Sequence, residues 1–393
     1  MPTAPLTRTA IAAALACAGM LLVGWTGLLV PSLIRSIEPA FEQTDAGIGV
    51  FFFVNAVAYV GGSMTGGLLT ERVGRRVVLP VAVSLIALGL VGMATVPTWG
   101  LFLVLAIPFG LGSGAIDGGM NGLVLDLYPE GRGRALNLLH LFFSLGALAS
   151  PLAIGRLVEA GAGWQAILIG TALVAIPLAI LFAIVTMPSG RHARSAGAAT
   201  VRVGLSIPII ALAIAIACYV ASEIGVSNWL VRFLETASIG LATSALALFW
   251  GCLALGRIVT AWLGDRFDHA RFAATAALVA AIALVAAAVV PSLPASIILF
   301  GLVGFAFGPV YPLIMAVGGD LYPTRSAAVS GFLSGCAVIG AIVYPPLMGF
   351  ISVEAGLSVA MIGAAILSLA CAAVLFTLSR RESAALEGAS EPA

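Results

Sequence analysis

Asp126-Leu-Tyr-Pro129 and Asp320-Leu-Tyr-Pro323 are one tetrapeptide written twice in a single chain, 194 positions apart. The same shift, without a gap, carries Gly62 to Gly256, Glu71-Arg72 to Asp265-Arg266, Gly114 to Gly308, Gly146 to Gly340, Pro151 to Pro345 and Gly155 to Gly349. Self-similarity at one fixed period marks a duplicated structural unit, and it constrains every later step of fold assignment. Here the period is roughly half the chain, so two homologous halves are expected.

Composition sets the solvent of each half. Of 393 residues, 61% are hydrophobic and 9% charged, and the mean hydropathy is +1.15. That leaves too little polar surface to clothe a water-soluble globule. In hydrocarbon every backbone N–H and C=O has to be paired inside the protein, so only helices and closed barrels can span. The apolar runs last roughly 20 residues and do not alternate, which selects helices over barrel strands.

Apolar windows bounded by Gly, Pro and Arg predict spans at 10–34, 46–70, 77–96, 101–127, 135–160 and 164–187 in the first half. They predict 206–234, 240–263, 271–291, 295–321, 325–352 and 356–379 in the second. The expected fold class is all-α integral membrane, with 12 transmembrane helices in two six-helix, pseudo-symmetric bundles. The bundles occupy 1–187 and 206–379, joined by a cytoplasmic linker at 188–205 and followed by a short polar tail, 380–393, read as disordered.

Twelve spans put alternate loops on one side, and arginine tests the count because cytoplasmic loops retain positive charge. The chain has no Lys, and its arginines sort cleanly. One side would hold Arg8, Arg72, Arg75, Arg76, Arg132, Arg134, Arg191, Arg194, Arg202, Arg266, Arg271, Arg325, Arg380 and Arg381, with Arg257 close by; the other holds Arg35, Arg156 and Arg232. Both termini and the linker are therefore expected in the cytoplasm, with the chain in a bacterial-type inner membrane. Arg8 precedes an apolar stretch that runs past Val30 without an A-x-A-like cleavage site, so it reads as a first span and not a removed signal. Halves separated by six spans have parallel topology and can rock about a midplane site, the mechanical basis of alternating access.

The loop after the second span reads Gly67-Leu-Leu-Thr-Glu71-Arg72-Val-Gly74-Arg75-Arg76, and its repeat reads Trp262-Leu-Gly264-Asp265-Arg266-Phe267. These segments resemble the signature loop of the major facilitator superfamily, with Glu71 where that pattern usually has Asp. Together with the repeat, the resemblance covers nearly the whole chain. It implies a secondary transporter, monomeric by default, with a cytoplasmic gate. Gly67, Glu71, Arg72, Gly74, Arg75 and Arg76 belong to that gate in the first half, and Gly256, Arg257, Asp265 and Arg266 in the second. A carboxylate at a helix end can pair with arginines or with the positive N-terminus of a neighbouring helix. The alternative is that these residues only mark topology.

A narrower resemblance, to fucose-permease-like transporters, is carried by Gly112-Ser-Gly114-Ala-Ile-Asp117-Gly-Gly-Met-Asn121, by Leu136-Asn137-Leu-Leu-His140 and by Glu223-Ile-Gly225-Val-Ser-Asn228-Trp229. In that group the fourth-span acid, which matches Asp117, takes part in proton coupling and substrate binding. Those permeases can carry an acid in the first span. Gly24-Trp25-Thr26-Gly27 has none, which leaves Glu223 as the candidate second acid.

An ionisable side chain deep in a span is costly unless it meets a cavity or a partner. Asp117 and Glu223 are so placed, neither with a basic neighbour in sequence at its own depth. Both are candidate proton carriers; the alternative is a hydrogen-bonded packing role. His140 could relay protons or be a satisfied packing histidine. Asn121, four residues beyond Asp117, shares its helix face and suits a hydroxyl-rich ligand, while Asn137 forms another polar face with His140. Trp25, Asn55, Trp229 and Tyr311 are expected to line the solute site, Tyr311 because it is the repeat equivalent of Asp117. Trp99 and Trp164, at span ends, read as interface anchors. Gly146-x4-Pro151-x3-Gly155 recurs as Gly340-x4-Pro345-x3-Gly349. The first copy partly resembles the fifth-span motif of proton-driven drug antiporters, although symmetric helix packing explains both copies.

A net charge of +1 gives no reason to expect a nucleic-acid partner. The five cysteines sit singly in apolar runs without metal-ligand spacing. There is no P-loop for ATP and no HExxH, so neither a cofactor nor a metal is expected, and the chain is not read as an enzyme. The expected function is proton-coupled symport of a small, polar, sugar-like solute. Sodium coupling stays open, as do proton-driven efflux of an amphipathic compound and a non-transporting membrane sensor on the same fold.

Overall fold

Apolar runs with internally paired backbone are helices throughout the computed structural model, which describes residues 4–128, 132–188, 206–263 and 266–390. In the first half, α1 (Ala4–Gly27) and α2 (Leu29–Ala40) make one span. It is followed by α3 (Asp45–Val73), α4 (Arg75–Thr95), α5 (Trp99–Leu127), α6 (Arg132–Glu159) and α7 (Trp164–Ile184). The second half has α8 (Ile207–Phe233), α9 (Ile239–Leu263) and α10 (His269–Val289). Its tenth span is broken into α11 (Leu293–Phe307) and α12 (Val310–Leu321), before α13 (Ser326–Ala355) and α14 (Leu357–Ser390). Among the described residues, twelve helical segments are long and apolar enough to cross a membrane. They match the predicted spans to within a few residues, except that the first runs on to Ala40.

The tail corrects one expectation. The helix of α14 continues from Arg380 to Ser390, since Arg, Glu, Ala and Leu are good helix formers even where they are too polar to enter lipid. The predicted linker lies outside the described residues except for Pro188.

Two compact units are formed: Met1–Ala198 with Glu235–Ala247, and Ala199–Leu234 with Leu248–Ala393. The first turns of α9 belong to the first unit for specific reasons. Arg35 donates to the Ala237 carbonyl at 2.9 Å, the Glu159 carboxylate accepts from the Gly240 N–H at 3.0 Å, and Thr243 fills the space beside Gly155.

Within the units, the repeat is visible as helix contact. A Cβ on Gly62 would collide with the Leu111 carbonyl, and one on Gly256 with that of Phe305. A Cβ on Gly114 would strike the Tyr59 carbonyl, and one on Gly308 that of Leu253. Each pair of partners is shifted by the same 194 positions. Glycine thus lets the second and fourth spans of each half touch backbone to backbone, the close approach that small residues permit in lipid. In the second unit α10 packs on α14, and every buried residue of α10 except Leu284 is alanine.

Trp164 is buried and its ring lies 5.7 Å from that of Phe41, which also meets Trp99 at 5.6 Å and Phe102 at 5.2 Å. Trp99 stacks on Phe102 at 5.0 Å. These indoles knit helix ends together, so the structure gives Trp164 a packing role where the sequence suggested an interface anchor.

Candidate functional site

In the first unit the polar chemistry gathers on α5, one turn past Gly114. Because Gly114 lets α3 lie directly on α5, Tyr59 is brought level with Asp117, and its hydroxyl lies beside the carboxyl. Asn121 donates to Asp117 Oδ1 at 3.1 Å and to its backbone carbonyl at 2.9 Å, an i to i+4 contact along one helix face. His140 on α6 is a charge neighbour of Asp117. The carboxyl is therefore held by a phenol and an amide and faced by an imidazole, while remaining partly exposed. Asn55, one turn before Tyr59 on α3, has its Oδ1 buried against Gly110 without a hydrogen-bond donor. A buried acceptor left in that state is uncommon in proteins.

In the second unit Glu223 is buried on α8. Its carboxylate lies 4.0 Å from the guanidinium of Arg257 on α9. Tyr219, one turn back on α8, puts its hydroxyl beside both groups, where it is buried without a hydrogen bond of ordinary geometry. The Tyr219 ring meets Tyr311 at 6.4 Å, and the Tyr311 hydroxyl lies 3.3 Å from that of Ser334. The 4.0 Å separation from Arg257 gives Glu223 a basic neighbour that its sequence surroundings did not show. Sequence depth placed Arg257 near a helix end, but its long side chain turns toward Glu223.

The other sequence candidates fall elsewhere. Trp25 is half-buried, its indole donating to Thr171 at 3.2 Å and its carbonyl accepting from Ser150 at 2.8 Å, so it ties α1 to α7 and α6. Trp229 is fully buried with its indole on the Pro345 carbonyl at 2.8 Å. It therefore packs α8 on α13 and offers no surface to a solute, which corrects its assignment as a lining residue. The Asn137 side chain and Asp265 lie outside the described residues.

In the signature loop, Gly74 ends α3 at φ +89°, a backbone conformation that glycine adopts freely. The turn aims Arg75 inward: buried, it lies 2.7 Å from Asp126 and donates to the Pro188 carbonyl at 3.0 Å. Arg76 donates to the Ala183 carbonyl at 2.7 Å. Gly67, Glu71 and Arg72 are exposed, and the carboxylate partner of Arg75 is Asp126 rather than Glu71. Gly256 is buried, and Arg266 lies over the Trp262 ring at 5.8 Å.

A transporter scaffold of duplicated six-span halves, with a carboxyl group inside a span of each half, is the class this geometry defines. The sequence matches the family model of the Major Facilitator Superfamily over residues 14–247 and 197–392, and the chain belongs to that family. It is a multi-pass membrane transporter and not an enzyme. It is 26% identical over 362 residues to the gentisate transporter of Corynebacterium glutamicum, covering 84% of this chain and 80% of that one. It is also 24% identical over 363 residues to the protein TsgA of Salmonella heidelberg, covering 90% and 88%. Among solved structures it superposes on a bacterial homologue of the human lysosomal transporter Spinster with a TM-score of 0.80 at 16% identity, over 94% of this chain and 96% of that one. A D-xylose-proton symporter gives a TM-score of 0.74 at 16% identity, over 92% and 96%.

Tyr59 and Tyr219 are the members of these clusters that sequence reasoning missed. Tyr219 was findable, since it stands four residues before Glu223 on one helix face. Tyr59 was not, because its pairing depends on how α3 and α5 cross.

Proposed function

We propose that the chain is a proton-coupled symporter of a small, polar, hydroxyl-bearing solute, acting as a monomer by alternating access in a bacterial-type inner membrane, with both termini and the linker cytoplasmic. One observation carries this reading: Asp117, inside a membrane span, is held by Tyr59 and Asn121 and faced by His140. A carboxyl group with hydrogen-bonding neighbours and a path to an imidazole can load and unload a proton reversibly. Glu223 is the second acid of the same reading. A relative that moves gentisate, an aromatic acid with two hydroxyls, is consistent with a small hydroxylated solute.

The motif that pointed to efflux has a packing explanation. A Cβ on Gly146 would strike the Leu21 carbonyl and one on Gly340 the Ala217 carbonyl, so both copies mark the same close helix contact.

The test is solute-driven pH change in proteoliposomes over a panel of sugars, organic acids and dyes, for wild type and Asp117→Asn. Symport predicts proton uptake with solute in wild type, and exchange without accumulation in the variant. Accumulation against a gradient by Asp117→Asn would overturn the assignment. Opposed fluxes would establish efflux, and the absence of flux for every solute would favour a sensor.

A further inference from the structure

Proton coupling through Asp117 leaves unexplained why the second unit keeps an arginine inside a span. The Arg257 side chain is 32% exposed while that of Glu223 is 7% exposed. Glu223 lies about 15 Å along α8 from its Phe233 end and about 24 Å from its Ile207 end, taking 1.5 Å per residue, so the guanidinium points into the span. An arginine facing lipid there would cost about 3 kcal/mol or more, so its exposed part faces water. The 4.0 Å separation from Glu223 exceeds the about 2.7–2.9 Å of a charge-assisted hydrogen bond. The fork of donors on the guanidinium, which matches a carboxylate in two-point contact, is thus only loosely engaged.

Two further features adjoin it. The buried Tyr219 hydroxyl beside the pair lacks an ordinary hydrogen bond. The tenth span breaks at Gly308-Pro309, and Gly308 sits directly against the Arg257 backbone. Discontinuous spans are where secondary transporters place their solutes.

We propose that Arg257 recognises the solute, that the solute is an organic monocarboxylate bearing hydroxyls, and that its carboxylate displaces Glu223 as the partner of Arg257. This deepens the symport reading and rests on it. The carboxylate oxygens of the solute accept from the guanidinium, and Glu223, losing its counter-charge, takes one proton from water. When the solute leaves, that O–H bond breaks, the proton returns to water, and Glu223 pairs again with Arg257. The Glu223 proton balances the charge of the anion, and the Asp117 proton supplies the drive. Of the described titratable groups, Tyr219 on α8 and Arg257 on α9 act on Glu223 directly, while Tyr311 on α12 meets the Tyr219 ring, Tyr344 on α13 lies against Gly225, and Cys371 on α14 neighbours Cys218. The Tyr344 hydroxyl is committed to the Ala360 carbonyl at 2.7 Å, Cys371 lies beside Cys218, and α11 contributes none.

The test is equilibrium binding to detergent-purified protein with matched probes, gentisate against its amide and gluconate against glucose, with protons counted by a pH indicator. Wild type should bind the carboxylates at least about tenfold tighter than their neutral partners, taking up one proton per anion. Arg257→Gln should erase that preference and Arg257→Lys keep part of it. Glu223→Gln should abolish the proton uptake that accompanies anion binding. Equal affinity for neutral partners, carboxylates that bind without proton uptake, or no carboxylate binding at all would each overturn the proposal. Should Arg257→Gln fail to fold, the wild-type matched pairs and proton count still decide. A neutral sugar carried with protons through Asp117 would sink the anion assignment alone, whereas anion binding with Asp117→Asn still accumulating would sink the coupling assignment alone.

Discussion

The guanidinium of Arg75 lies 2.7 Å from the carboxylate of Asp126, and it does so from a buried position at the start of α4. The duplication preserves the contact while changing its chemistry. The positions 194 residues on are His269 and Asp320, whose side chains meet at 3.0 Å, an ion pair only when the imidazole is protonated. Arg75→Ala removes the buried end of this pair and the donor to Pro188 and leaves the half-exposed Asp126 to water, at a cost of about 1–1.5 kcal/mol. His269→Ala, at a more open pair, is expected to cost less than about 1 kcal/mol. Thermal unfolding of the purified variants ranks them, and equal losses would show that the two ends are held alike.

Gly114→Val places side-chain atoms where the Tyr59 carbonyl now lies. Overpacking of this kind costs about 1–3 kcal/mol or more, and it also moves Tyr59 away from Asp117. Stability and uptake should therefore fall together. Gly170→Ala on α7, with nothing within 4 Å of the added carbon, is the control and should change neither. A well-folded, active Gly114→Val would contradict the close packing of α3 on α5.

Tyr59→Phe deletes one hydroxyl beside Asp117 and leaves the ring in place. Proton-driven accumulation is expected to drop about tenfold, a loss of about 1.4 kcal/mol in the coupled step, with KM for exchange nearly unchanged. Initial-rate measurements with and without a pH gradient separate these quantities. A change in KM with accumulation intact would place Tyr59 in solute contact instead.

Reporter fusions test the orientation. A fluorescent reporter after Ala393 or within 189–205 should fold in the cytoplasm, and alkaline phosphatase inserted at Gln43 or Ser238 should be active outside. Termini read on opposite faces would break the twelve-span arrangement.

The spans were legible because lipid demands about 20 apolar residues in a row and tolerates no unpaired backbone. The repeat was legible too, and it named glycines that the structure shows at matched backbone contacts, such as Gly62 with Leu111 and Gly256 with Phe305. Asp117 and Glu223 stood out because acids are rare in such runs. The direction of Arg257 was hidden, since a long side chain on one helix can reach a residue at another depth on the next. Trp229 was misjudged for a similar reason: an indole can face a cavity or a neighbouring carbonyl, and only the packing of α13 decides.

The alanine face of α10 has a consequence for how such a chain diversifies. Alanine has no rotamers to lose when it is buried, so on the α10 side docking on α14 orders little beyond the backbone itself. The seam is closed by this shape together with hydrogen bonds from Ser368 to the Ala277 carbonyl at 2.8 Å and from Arg271 to Ser379 at 2.9 Å, and it asks nothing of the polar residues on α5, α8 and α9. Solute preference can drift by exchange of those few side chains on an unaltered frame, while a bulky residue in place of a buried alanine on the seam would wedge it open.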